Sequence, residues 1–192
     1  MPTSVFLELP EDKKERIISA ALDEFAANRF DNASTNTIVK NAGISKGSLF
    51  KYFENKEDLY FYLIDTVTVQ MSAEMADAVT TLPEDVYERI IAYSSLEITY
   101  YLKRPAEGKL LTNFASERDN EIAKKIAQRY GEVSKDSYEK LMEGTGLDKD
   151  KTAILKWVLE GFNRDFLNRG GTAEEYVKEL KMYLNMLRKG LI

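Results

Sequence analysis

Cysteine and histidine are both absent from this chain of 192 residues. Without cysteine there are no disulfide scaffolds and no catalytic thiols; without either there are no Cys/His zinc sites; without imidazole the usual general base is missing. Aspartate and glutamate total 32, but they are spread along helical faces rather than clustered, so no metal, cofactor or catalytic residue is expected. No apolar run is long enough to span a bilayer, and the opening MPTSVFLELPEDKK lacks the charged start and apolar centre of an export signal. A cytoplasmic chain with no membrane partner is the expectation. Alternation with period two, the mark of half-buried strands, does not occur either, which points to an all-α fold.

An apolar fraction of 44% is enough to build a core. Pro10 suits a first helical turn, Glu11 and Asp12 favour the positive end of its dipole, and Ile17, Ile18, Ala21, Leu22 and Phe25 follow as an apolar stripe ending near Asn28, a residue that tolerates a left-handed helix end. Residues 35–42 carry Ile38 and Val39 at helical spacing before Gly43 interrupts. Ser45 then stands where an N-cap belongs, and Leu49, Phe50 and Phe53 mark one face while Lys46, Ser48, Lys51 and Tyr52 stay polar. Helix, glycine turn, helix is the layout of a DNA reader whose second helix enters the major groove. Between residues 34 and 56 four lysines (40, 46, 51 and 56) face one glutamate (54), although the whole chain has a net charge of −5. The bulk of the chain repels nucleic acid; this segment does not.

Asn55 with Asp58 announces a helix over 55–78 whose apolar residues, Leu59, Phe61, Tyr62, Ile64, Val67 and Met71, spread over more than one face. It is therefore expected to connect an N-terminal head, 1–54, with a second domain, 55–192. Further helices are expected from Pro83 to Pro105, from Gly108 to Phe114, from Ser116 with Asp119 to Met142 by way of Val133 and Tyr138, over 151–168, and over 173–189. The last of these is opened by a Thr172–Glu175 capping box.

On Ile17 to Phe25, Phe30, Ser34-Thr35, Ile38, 42–47 (Ala-Gly-Ile-Ser-Lys-Gly), Leu49-Phe50, Tyr52-Phe53, Lys56 and Leu59, the chain resembles the TetR family of bacterial transcriptional repressors. The resemblance covers a signature region, 11–71, around a motif at 34–53. It implies a nine-helix homodimer in which the first three helices read double-stranded DNA, the fourth connects, and the last two pair subunits, with a small-molecule effector releasing a palindromic operator. Carried over by residue, Ser45, Lys46, Gly47, Ser48, Phe50, Lys51 and Tyr52 form the recognition helix. Ser34 and Thr35 cap the preceding helix at a phosphate, and Tyr52 and Lys56 reach phosphates on either side of the groove. Three positions depart from the family pattern: Phe50 stands where tyrosine is commoner, Thr37 where a carboxylate is frequent, and Asn28-Arg29 where the turn has glycine.

The resemblance also implies an effector cavity, for which Tyr93, Tyr100, Tyr101, Phe114, Tyr130, Trp157 and Phe162 are the candidate lining, with Thr99, Asn113 and Asn163 as polar partners. A mostly aromatic, uncharged lining suits a hydrophobic effector. Phe162, Phe166, Tyr176, Leu180, Tyr183 and Leu187 are candidates for the dimer interface, since two-fold DNA sites require a two-fold protein. Each of these sets competes with ordinary core packing. A cofactor-free enzyme or small-molecule carrier with a vestigial head is the alternative from another class, and a protein-interaction module a third; affinity for duplex DNA separates them from a regulator.

Overall fold

The computed structural model describes residues 1–118, 120–142 and 146–191, and for 132–140 and 191 the backbone alone. Among the described residues there are ten helices and no strand: α1 (Ser4–Leu7), α2 (Glu11–Ala27), α3 (Thr35–Ala42), α4 (Lys46–Tyr52), α5 (Lys56–Val79), α6 (Val86–Lys103), α7 (Pro105–Ala115), α8 (Glu121–Met142), α9 (Lys149–Arg169) and α10 (Ala173–Leu191). The all-α expectation holds. The first helix was not foreseen; its four residues are too few to show a period, and tertiary contacts hold it. Phe6 is fully buried against the rings of Phe53 (4.8 Å between centroids) and Tyr62 (5.7 Å).

Helix ends follow capping chemistry, in places different from the one expected. Pro10 is the N-cap of α2, and Asn28 closes that helix in an extended conformation (φ −129°) rather than a left-handed one. Its side chain turns back to Oε1 of Glu24 (3.2 Å), a bond the left-handed state was not needed to make. Asn55 accepts from the N–H of Asp58 (2.9 Å), and Thr172 and Glu175 form the reciprocal capping box (3.2 and 2.8 Å). Pro105 does not merely end α6 but occupies the first turn of α7. Ser116 does not open α8: its hydroxyl donates to the carbonyl of Asn113 (3.0 Å) at the end of α7, while Asn120 accepts from Ala123 N–H (2.8 Å) at the start of α8. The expected cap at Asp119, and the side chains of Val133 and Tyr138, lie outside the described residues.

The chain divides into two compact units, residues 1–74 with 104–118, and residues 75–103 with 119–192. The first of these units takes in the start of α5 and the whole of α7 along with the expected head, 1–54. Leu59, Tyr60, Phe61, Leu63 and Ile64 of α5 are buried, and the Tyr60 ring lies tilted against Phe25 (5.0 Å) and Phe30 (5.1 Å) of the head. A segment distant in sequence, α7, packs along α2, where Nδ2 of Asn113 donates to the carbonyls of Phe25 (3.1 Å) and Ala26 (3.2 Å).

In the second unit α10 packs on α6 and α9, and α6 on α8. Ile90, Ile98, Leu155, Leu159, Phe162, Phe166, Tyr176, Leu180 and Leu184 form its core. Phe166 is fully buried, with the rings of Phe162 at 6.1 Å and Tyr176 at 5.1 Å. Phe166→Ala is expected to remove about 3–5 kcal/mol of stability, as a buried phenylalanine truncated without collapse does. Urea unfolding checks this at several protein concentrations: a core role predicts a loss that persists at every concentration.

Candidate nucleic-acid interface

The head builds α4 from the inside outward. Glu24 stands on the Ile17, Ala20, Ala21 face of α2, where helical spacing asks for an apolar residue, and it is buried. Its carboxylate accepts from the backbone N–H of Ser34 (2.8 Å) and from Nδ2 of Asn28 (3.2 Å), so it fixes the entry to α3. Ser34 in turn accepts from Thr37 N–H (3.4 Å). Gly43 takes a left-handed conformation (φ 66°), and the N–H of Ile44 donates to Val39 (3.0 Å), which ends α3 and reverses the chain. Ser45 then caps α4, its hydroxyl accepting from Ser48 N–H (3.0 Å).

On α4, Leu49 and Tyr52 point inward and Lys46, Gly47, Phe50 and Lys51 outward. Phe50 keeps 42% of its surface exposed, an apolar ring set between two lysines. A Cβ on Gly47 would meet only the hydroxyl of Ser45, at 3.9 Å, so nothing in this chain needs a glycine there. The far end of α4 is closed by Thr3, whose hydroxyl donates to the Lys51 carbonyl (2.8 Å) and whose N–H donates to that of Tyr52 (2.9 Å). Thr35 and Ser48 are half-buried and Ser45 is exposed.

Two residues expected on the outer face lie elsewhere. Tyr52 is 6% exposed, its ring against Phe6 (6.0 Å) with Nζ of Lys13 above it at 5.7 Å. Lys56 turns inward: Nζ donates to the carbonyls of Phe30 (2.6 Å), Ala33 (3.1 Å) and Asp31 (3.5 Å) and sits 4.4 Å over the Phe30 ring. Those carbonyls end the loop after α2, and an ammonium satisfies three of them at once. The sequence reading missed Glu24, Thr3 and Glu117, whose buried carboxylate accepts from Phe30 N–H (3.3 Å). A polar residue at a core position of the α2 stripe was the one available signal, and only for Glu24.

The expected effector residues are not all in one place. Phe114 belongs to the first unit, Trp157 is 69% exposed on α9, Tyr100 is buried, and Tyr130 is half-buried on α8. Thr99 bonds back to the Ser95 carbonyl (2.6 Å) and Asn113 caps α2 as described. What comes together in the second unit is Tyr93, Tyr101 and Asn163 around Glu97, a carboxylate in place of the uncharged lining expected. The Tyr101 hydroxyl donates to Oε1 of Glu97 (3.0 Å) and Nδ2 of Asn163 to Oε2 (3.4 Å), while the Tyr176 hydroxyl donates to Oδ1 of Asn163. Burial raises the Glu97 carboxyl above its ordinary range, with the Tyr101 bond acting against it. Burial, and then the nearby Glu97, push the Tyr93 hydroxyl up to about 12. Of the expected interface residues, Phe162, Phe166, Tyr176 and Leu180 are buried in the core of their own unit. Leu187 is half-buried; Tyr183 is exposed, as are Ile154, Met182 and Met186.

Comparison with known proteins bears on the head most strongly. The family model "Bacterial regulatory proteins, tetR family" matches residues 17–63. A "Fatty acid metabolism regulator protein" of Bacillus subtilis is 29% identical over 86 residues, 45% of this chain and 41% of that one. The chain thus spans less than half the length of that curated relative. A crystal structure of a TetR family transcriptional regulator from Chloroflexus aurantiacus is 27% identical with a TM-score of 0.68, over 100% of this chain and 93% of that one. The FadR of Bacillus subtilis in complex with stearoyl-CoA has a TM-score of 0.66 at 18% identity, over 90% and 96% of the two chains, a likeness of fold.

The raised carboxyl of Glu97 has a consequence for stability. A folded state that holds this proton more tightly than the unfolded chain has the full benefit at acid pH and loses it as pH rises through the raised value. Glu97→Gln is therefore expected to melt close to the parent in acid and above it at higher pH. Thermal melts over a pH series check this; parallel curves would mean the carboxyl ionises as an ordinary one.

Proposed function

As a member of the TetR family of bacterial regulatory proteins, the chain, we propose, is a DNA-binding transcriptional regulator and not an enzyme: a homodimeric repressor that a small effector releases from a palindromic operator. The observation that carries this reading is the outer face of α4. Its two lysines, a glycine open to close approach and an exposed phenylalanine stand on a helix that α1 and α3 support from behind. Lys46 and Lys51 supply phosphate or guanine contacts, and Phe50 an apolar contact such as a thymine methyl offers. Ser34, Thr35, Ser45 and Ser48 border the same face. Tyr52 and Lys56 hold the face in place from within.

A repressor of this kind sets two recognition helices about 34 Å apart, one turn of duplex. For the pairing surface, the exposed Ile154 and Trp157 of α9 with Met182, Tyr183 and Met186 of α10 are the better candidates, since a soluble helix does not leave five large apolar side chains to water without a partner. The effector belongs in the second unit. The related FadR, which holds stearoyl-CoA, supports the capacity of this fold to take a small molecule. Release follows when the effector binds the operator-competent arrangement less well than the other.

Lys46→Ala and Lys51→Ala are expected to weaken binding to an operator selected from random duplexes and to lower the salt slope by about one each. Gly47→Ala leaves stability within about 1 kcal/mol of the parent, alanine being the better helix former, yet loses operator affinity. Lys56→Ala acts mainly on folding, by about 1–3 kcal/mol for lost charge-assisted bonds. Fluorescence anisotropy at fixed salt and urea unfolding separate these effects. Full affinity in Lys46→Ala, Lys51→Ala and Gly47→Ala together would place the interface elsewhere. A Trp157→Asp, Met186→Asp double variant is expected to sediment as a monomer while retaining the parent's helical circular dichroism.

A further inference from the structure

Among the described residues the buried carboxylates, Glu24 and Glu117, are explained by the backbone they hold, which half-buried carboxylates need not be. Glu97 is not. Glu117 accepts the Phe30 N–H within the connection between α2 and α3, and Glu24 the Ser34 N–H at its end. Among the described residues Glu97 accepts from a phenol and a carboxamide, and no lysine or arginine pairs with it. An ionised carboxylate offers about four lone-pair sites, so two neutral donors leave it short of partners. A single uncompensated charge inside a protein costs fold stability.

The surroundings say what would complete it. Glu97 is surrounded by protein, yet it keeps water-accessible surface, as do its neighbours Tyr93 and Asn163. Tyr93 and Tyr101 come from the same helix, one turn before and one turn after Glu97, and Tyr176 approaches through Asn163. A carboxylate with aromatic rings beside it attracts cations by two routes at once, the charge itself and the negative faces of the rings. An anionic or acyl headgroup at the same point would meet repulsion and the desolvated edges of phenols.

We propose that the unit formed by residues 75–103 and 119–192 binds an organic cation, an ammonium carried on an apolar body, with Glu97 as its counter-ion and Tyr93, Tyr101 and Asn163 around it. This rests on the reading of the chain as an effector-responsive regulator and gives that effector a charge. It also sets the effector apart from the acyl thioester found in the FadR structure.

The test is a pair of probes of one shape. Benzyltrimethylammonium and neopentylbenzene differ in a single atom, nitrogen against carbon, and so in charge alone. Titration calorimetry and ligand-observed NMR on the full chain without DNA are expected to show the cation binding about tenfold or more tightly than the neutral probe, the order of a desolvated charge contact. Glu97→Gln, which keeps the shape of the side chain, is expected to remove that preference while retaining the parent's melting at acid pH. Equal binding of the two probes by the parent, no binding of the cation, or an undiminished preference in the glutamine variant would each overturn the proposal. Operator release is read separately. A Glu97-dependent cation site that leaves DNA affinity untouched would keep the site and sink the effector reading; operator release by a neutral or anionic probe alone would do the reverse.

Discussion

Helix α4 spans seven residues, two turns, and an isolated helix of that length does not persist in water. Its existence depends on burying Leu49, Tyr52 and Phe53 against Phe6 and the aromatic residues that start α5. Everything outward on α4 is therefore free to be chosen for something other than folding. That division explains why an exposed phenylalanine and a glycine with empty space above it coexist on one short helix. Neither helps the fold, and both suit a surface that a duplex approaches.

Rigidity of the head comes from polar groups used on the inside. Lys56 gathers three carbonyls of the loop after α2, Glu24 and Glu117 hold N–H groups of the same loop, and Asn113 closes the carbonyls at the end of α2. Loop backbone is thus satisfied by four side chains, two of them, Asn113 and Glu117, contributed from or beside α7, some ninety residues later in the chain. Such bonds fix α3 and α4 on α2 without adding apolar area. They also tie the loop after α2 to α7, a segment that returns to this unit late in the chain.

Local chemistry was readable from residues; the destination of long side chains was not. The turn at Gly43, the caps at Ser34, Ser45 and Asn55, and the Thr172–Glu175 box each involve partners within three or four positions, and each was legible. Lys56 and Tyr52 were placed outward because lysine and tyrosine beside a basic helix usually are. Only the fold reveals that Phe30 and Phe6 stand ready to cover them. The core of the second unit shows the same limit. Phe166 on α9 and Tyr183 on α10 each fall in the apolar pattern of their own helix, and periodicity cannot tell a face buried by the chain itself from one left for a partner. Trp157, placed in a cavity by its residue type, is outside for that reason.

The two sets of buried acids separate structure from response. Backbone N–H groups at the α3 entrance and in the turn after α2 have no rotamers of their own, so the bonds to Glu24 and Glu117 last as long as that backbone keeps its path. The donors to Glu97 are side-chain groups, each with rotamers of its own and each able to turn away when a better partner arrives. A carboxyl held in this way costs little to rearrange, and its protonation follows whatever enters beside it. Glu97 therefore has the properties of a receiving group, in a unit whose core among the described residues is apolar apart from Ser94.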